Sequence, residues 1–244
     1  MSRLLINAEN CGGRTVITGL EFTSPMKIAR PFYRDAYTEV MMMSASAGML
    51  DGDIYDIEID VGEAAHLKFS EQSYGKIFKA DEKGVQKRVK LSVGKNACML
   101  YFPMPVIPFS GSKFRGDSEI RLDADSRFVM CDILSCGRAA MNESFDFEGY
   151  SARTAVYVAD KLVFLDNQRF VPKLAQLGGI GFFEGHTHIG TVYAYGLSDI
   201  ELSEDGRLEI AKTKAYAGIC IRVLADSADD IVNYIKKINF EGRI

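Results

Sequence analysis

Tryptophan is absent from the 244 residues, and no apolar run approaches the ~18 that a membrane-spanning helix requires. The stretch Leu4-Leu5-Ile6 is too short for the apolar part of a secretory signal. Cysteine is scarce: Cys11, Cys98, Cys131, Cys136 and Cys220 are odd in number and scattered, with no Cys-x-x-Cys pair. That pattern argues against a disulfide framework or a thiolate zinc site and predicts reduced thiols in a cytoplasmic protein. Positive charge is also short. A formal net charge of −4 and a pI near 5.5 argue against a nucleic-acid binder, which carries a basic footprint. No Gly/Ser/Pro-rich linker or low-complexity block interrupts the chain, so one domain over residues 1–244 is expected. Catalytic signatures are missing as well: there is no Gly-x-Ser-x-Gly elbow, no P-loop and no Gly-x-Gly-x-x-Gly opening a helix.

What the chain has in abundance is alternation. In Ile57-Glu58-Ile59-Asp60-Val61 the apolar side chains point one way and the acids the other. Leu67/Phe69, Val89/Leu91/Val93, Ile120/Leu122, Phe128/Met130, Val156/Val158 and Ile219/Ile221/Val223 repeat the period of two, the mark of half-buried strands. Turn signals at Asp51-Gly52-Asp53, Val61-Gly62-Glu63, Val93-Gly94-Lys95-Asn96, Asp123-Ala124-Asp125-Ser126 and Asp205-Gly206 separate them, without a fixed repeat period. The expectation is an all-β-dominated protein of many short, largely antiparallel strands, with about two helices. One helix is predicted over 227–239, opened by Ser227 with Asp229 and Asp230 in its first turn and closed by Lys236 and Lys237. The other would start at Pro172, turn Leu174 and Leu177 inward and stop at Gly178-Gly179.

Three of the six prolines fall in Phe102-Pro103-Met104-Pro105-Val106-Ile107-Pro108-Phe109. Proline donates no ladder hydrogen bond and holds its predecessor extended, so this apolar run reads as a stiff edge or arm. It serves either as a platform for another protein or as a rigid connection over the core. Other segments also admit two readings, with the structural one favoured in each. Asp51-Gly52-Asp53 is a turn or a divalent-metal or nucleotide-sugar motif. His186-Thr187-His188, if extended, puts two imidazoles on one strand face near Glu184, as metal ligands or as partly exposed strand residues. Arg138 and Glu143, five apart, form a partly buried ion pair or contact a ligand. Met41-Met42-Met43 is a buried strand or an apolar surface awaiting a partner.

Taken in order, these blocks resemble one family. Ser24-Pro25-Met26-Lys27 with Arg30-Pro31-Phe32 is similar to the opening motif of the urease accessory protein UreD, called UreH in some bacteria. Gly48 through Gly52-Asp53 resembles its glycine–aspartate turn, and Gln72, Lys76 and Ile77 its Gln-x-x-x-Lys-Ile/Val pattern. The arm ending Ile107-Pro108-Phe109 and the block Gly137-Arg138…Glu143-x-Phe145 complete a series across roughly residues 22 to 145. Asn142 departs from the glycine expected before the glutamate, although Asn also tolerates left-handed backbone.

The resemblance implies a β-rich helicoidal scaffold with no catalytic residues of its own. It implies binding to urease subunits and recruitment of the UreF and UreG (GTPase) accessory proteins, so that nickel reaches the urease active site. No tightly bound cofactor is expected; Ni2+ is transient cargo, held by weak oxygen and imidazole ligands. Within that reading, Asp53, Glu58, Glu71, Glu143, His186 and His188 are candidates for the metal route. Pro103, Pro105, Ile107, Pro108 and Phe109 are candidates for partner binding, and Gly52, Gln72, Lys76, Gly137 and Arg138 are motif positions. The alternatives are a metal-dependent β-rich hydrolase or lyase using Asp51/Asp53 or His186/His188, and a β-type carbohydrate- or surface-binding module.

Overall fold

The computed structural model describes residues 1–197, 200–203, 205–215 and 217–243. Strands follow one another as β1 (Ser2–Cys11), β2 (Arg14–Phe22), β3 (Met26–Ile28), β4 (Phe32–Tyr33), β5 (Thr38–Ser44), β6 (Ile54–Val61) and β7 (His66–Glu71). Then come β8 (Gly75–Ile77), β9 (Val85–Val93), β10 (Cys98–Phe102), β11 (Val106–Pro108), β12 (Lys113–Leu122) and β13 (Arg127–Ser135). The last are β14 (Gly149–Val158), β15 (Lys161–Phe170), β16 (His188–Tyr195), β17 (Leu208–Ala215) and β18 (Gly218–Ala225), before helix α1 (Ala228–Ile238). One sheet has the order β15-β14-β12-β9-β6-β1-β2; the other runs β17-β18-β16-β13-β10-β7-β5-β3, with β4 on β5 and β11 on β13 and β8.

The expected all-β fold is present, but its strands are not largely antiparallel. The interior pairs β1–β6–β9–β12–β14 and β5–β7–β10–β13 are all parallel. Antiparallel pairs lie toward the ends, as the hairpins β1/β2, β14/β15 and β17/β18 and the pair β16/β18. The reason lies in the turns. Val61-Gly62, Val93-Gly94 and Leu122-Asp123 do not reverse the chain within a sheet; they carry it across to the other one. At each corner an N–H donates to the carbonyl three residues back, Ala65 to Gly62, Ala97 to Gly94 and Ser126 to Asp123, each at 3.1 Å. The corners also stack, with the Gly94 N–H on the Val61 carbonyl at 2.8 Å and the Asp123 N–H on Val93 at 2.9 Å. A chain that changes sheet at every corner comes back in the same direction one strand further along, so its neighbours pair in parallel.

Two apolar layers result. Between the sheets the inward phase of every strand meets its opposite: Leu4, Ile6, Ile57, Ile59, Leu91 and Ile120 against Val40, Leu67, Phe69, Met99 and Phe128. Fully burying each such side chain contributes ~1.5–3 kcal/mol. The outer face of the second sheet is also apolar, through Leu100, Val129, Ile133, Val192, Ile221 and Val223, and α1 covers it with Ile231, Tyr234, Ile235 and Ile238. The Ser227 side chain caps α1 by accepting from the Asp229 N–H at 3.1 Å, and Asn239 closes it in left-handed backbone.

Two further expectations need correction. Residues 172–179 form turns and no helix: Leu177 is buried, but Leu174 is 77% exposed. One inward leucine gives a helix no apolar stripe, and the glycines that follow favour turns. The proline arm is not an edge. β11 lies between β8 and β13, Pro105 and Pro108 are buried, and the Pro105 carbonyl accepts from the Gly75 N–H at 2.9 Å.

Candidate functional site

The phase of the strands carries a polar row into the apolar interior. On β7, Glu71 follows Leu67 and Phe69 on the inner face; on β13, Asp132 stands between Met130 and Leu134. On β9, Lys87 stands between Val85 and Val89, and on β10 Tyr101 follows Met99. Register brings them together. Tyr101 pairs with Phe69 on one side and Met130 on the other, so Glu71 and Asp132 flank the next position, which is Pro103. There β10 ends, because proline offers no N–H to continue the ladder. The chain bows out and returns as β11, and the Met104 N–H turns to the Glu71 carboxylate at 3.2 Å.

This interruption perforates the second sheet. On its outer side a cavity of about 540 Å³ lies beneath α1, with Glu71, Pro103, Met104 and Cys131 in its wall. Pro103, Met104 and Cys131 also line an inner cavity of about 50 Å³, together with Lys87, Tyr101 and Asp132. A second inner cavity of about 170 Å³ shares Lys87 and Val106 with the first and has Glu71 in its wall. The outer space and the space between the sheets therefore share a wall at Glu71, Pro103, Met104 and Cys131.

The electrostatics of this chamber are uneven. Lys87 Nζ stands 3.3 Å from a Glu71 carboxylate oxygen. Burial, the largest single influence, opposes its charge, but Glu71, Tyr101 and Asp132 together outweigh it and hold the ammonium above its ordinary range. Burial pushes the Asp132 carboxyl up, and Lys87 only partly offsets that. Asp132 is half-buried, and among the described residues the Tyr101 hydroxyl, on a residue 4% exposed, has no hydrogen-bond partner. Burial raises that phenol to about 12. Beyond Asp132 the row continues across the register to Thr191 and Arg222. Arg222 binds Asp166 of the facing sheet at 2.7 Å, and Gln168 reaches both Asp166 and Thr191. Arg222 and Gln168 in turn line a cavity of about 600 Å³ between the β15 and β17 sides of the protein.

Of the six metal-route candidates, only Glu71 stands in this chamber. Glu58 is on the outer face of the first sheet, 3.6 Å from Arg3. Asp53 closes its own turn, accepting from the Leu50 N–H at 2.8 Å and the Tyr55 hydroxyl at 3.2 Å. Asp51 clasps the 82–84 loop through three N–H groups, of which Gly84 is the largest cause of its lowered pKa. Glu143 is paired with Arg138, at 2.7 Å from Nε and through a second, closer contact, and that pair holds its carboxyl below the usual range. Asn142 does adopt left-handed backbone (φ 58°), which keeps this turn in shape. Gly137 is required there: a Cβ would stand 2.6 Å from the Glu143 carbonyl.

His186 and His188 do not share a strand, since β16 begins at His188. They have separate partners, Asp226 at 3.2 Å and the Thr187 hydroxyl at 2.8 Å. Among the described residues no three of His, Cys, Asp and Glu come together as a metal-holding group. Of the arm, Pro103 borders the perforation, while Ile107 and Phe109 are half-buried. The Arg138 guanidinium lies 4.1 Å above the Phe109 ring, and Phe78 meets the same ring edge-on at 4.9 Å. Gln72 and Lys76 are exposed, and Gly52 takes its turn at φ 82°. Sequence reasoning missed Lys87, Tyr101 and Asp132. Extending the alternation of β9 and β13 by two residues would have found the two charged ones.

The family model described as UreD urease accessory protein matches residues 2–240. The chain is 36% identical over 250 residues to the urease accessory protein UreD of Acetivibrio thermocellus, covering 97% of this chain and 95% of that protein. It is 29% identical over 231 residues to the urease accessory protein UreH of Helicobacter hepaticus, at 93% and 92% coverage. The same identity over 240 residues relates it to UreD of Flavobacterium johnsoniae, at 93% and 86%.

Proposed function

The chain belongs to the UreD family of urease accessory proteins, and from that premise we propose that it is a non-catalytic scaffold for nickel delivery to urease. In this reading it binds the urease subunits together with the UreF-type and UreG-type partners. GTP hydrolysis belongs to the UreG-type partner, in keeping with the missing P-loop in this sequence. The arm residues Ile107 and Phe109, half-buried on either side of buried Pro108, are the proposed contact for the UreF-type partner.

One observation carries the delivery reading: a polar row crosses the apolar interior from the perforation at Glu71 to Arg222. An apolar sandwich has no stability reason to hold Glu71, Lys87, Asp132, Asp166 and Arg222, since buried ion pairs are often no better than apolar packing. Oxygen ligands exchange fast, as cargo in transit requires, whereas a closed thiolate site would keep the ion. The cysteines fit this division, because burial raises the pKa of Cys131, beside the perforation, far above its ordinary value and keeps it a thiol.

Co-expression of urease with its accessory partners, with and without this chain, tests the proposal. Nickel-loaded, active urease should appear only with the chain present, and the chain should co-purify with its partners. Equal nickel content and activity without it would end the delivery reading.

A further inference from the structure

The Glu71 chamber already contains a cation, the Lys87 ammonium. It stands on the inner face of β9 in the walls of both inner cavities, and its partner Glu71 also lines the outer one. Glu71 is fully engaged in this arrangement, with one oxygen on Lys87 and the other on the Met104 N–H. The opposite wall carries the rest of the polar row. Half-buried Asp132 lines the inner cavity without an ion-pair partner among the described residues, and in the same wall the Tyr101 hydroxyl is buried without a hydrogen-bond partner. Lys87 carries its charge on a flexible four-carbon stem, and acceptors stand vacant within the same cavity.

We propose that Lys87 is the gate of the interior route: a resident cation that guards Glu71 and yields to an arriving divalent ion by swinging toward Asp132 and Tyr101. The inference rests on the delivery reading and adds a mechanism to it. With Lys87 in place, the two carboxylates never act together on the cargo, because one of them is always neutralised by the ammonium. An ion that displaces Lys87 from Glu71 meets its repulsion again at Asp132, so it does not dwell. Without the ammonium, Glu71 and Asp132 would act on one dication in an interior of low dielectric, where attraction is strong. The route would become a trap. The unpartnered hydroxyl and the unpaired carboxylate, which a purely structural ion pair does not need, are the features that distinguish a gate from a fixed bridge.

The test is equilibrium dialysis of the full-length chain against Ni2+ alone. Lys87→Met removes the charge; Lys87→Gln removes it but keeps a donor for Glu71, preserving the local hydrogen bond. Both should bind Ni2+ roughly tenfold or more tightly than the wild type. Adding Glu71→Gln to either should abolish the gain, and Lys87→Arg, which keeps the charge, should not show it. In the co-expression assay the neutral variants should retain nickel on the scaffold and lower the nickel content of urease. Wild-type Ni2+ affinity in folded Lys87→Met and Lys87→Gln would overturn the gate, and so would failure of both to fold, which would make Lys87 a structural counter-ion. The two readings fail separately. Urease loaded equally well without the chain removes the delivery reading, whereas unchanged Ni2+ affinity removes only the gate.

Discussion

Asp205 shows how single side chains hold this protein at its margins. Its carboxylate accepts from Arg207 Nε at 3.3 Å and from Lys237 Nζ at 3.2 Å, tying the segment before β17 to the last turn of α1. Hydrogen bonds from Arg207 and then Lys237 lower its pKa from 3.8 to about 2. A carboxyl depressed on folding contributes stability above its unfolded value and loses it as pH falls through its folded value. The melting-temperature advantage of the wild type over Asp205→Asn should therefore be steady above pH 4 and shrink toward pH 2. An advantage that stays constant through that window would mean the pair has no linkage to folding. Residues were legible in the sequence to very different degrees. The turn role of Asp51-Gly52-Asp53 and the left-handed Asn142 followed from side-chain chemistry that acts locally. Lys87 and Asp132 did not, because a charge in phase with apolar neighbours is visible only when the phase is carried through to the strand's end.

Among the elements, α1 was the most legible, because its stripe, cap and terminal charges all agree. Ser227→Ala leaves the Asp229 N–H without its cap and should cost ~1 kcal/mol. For a chain of this size that is a drop of ~2–4 °C in melting temperature. An unchanged melting temperature would mean that burial of Ile231 and Ile235 alone holds the helix in place. The strands were legible as strands but not as pairs. Alternation in β6 or β9 is the same whether the neighbour runs parallel or antiparallel. Direction was decided by corners such as Val93-Gly94, where a turn dipeptide does not say which sheet the chain enters next. The turn at 172–179 was misread because Leu174 and Leu177 have helical spacing, while only Leu177 has a place in the core.

For the whole molecule, α1 is a cover as well as a helix. It seals the outer face of the second sheet and roofs the cavity that opens at the prolines. A chain ending at Asp226 would expose Leu100, Val129, Ile133, Val192, Ile221 and Val223 as one apolar patch, a surface that drives association. Such a truncation should bind a hydrophobic dye and aggregate. A monodisperse product with no dye binding would show that the sandwich stands without its cover.

The sequence by itself determined the β class, the C-terminal helix and, through ordered motifs, the family, because alternation, capping and turn chemistry are all local. Only the tertiary structure decided that the proline run interrupts a buried sheet rather than edging it, and that Glu71, Lys87, Tyr101 and Asp132 share one chamber. These residues come from four strands and both sheets, and their meeting depends on parallel register between circuits of the chain. No local pattern encodes that register: it is set by the corners and by the packing of one sheet on the other.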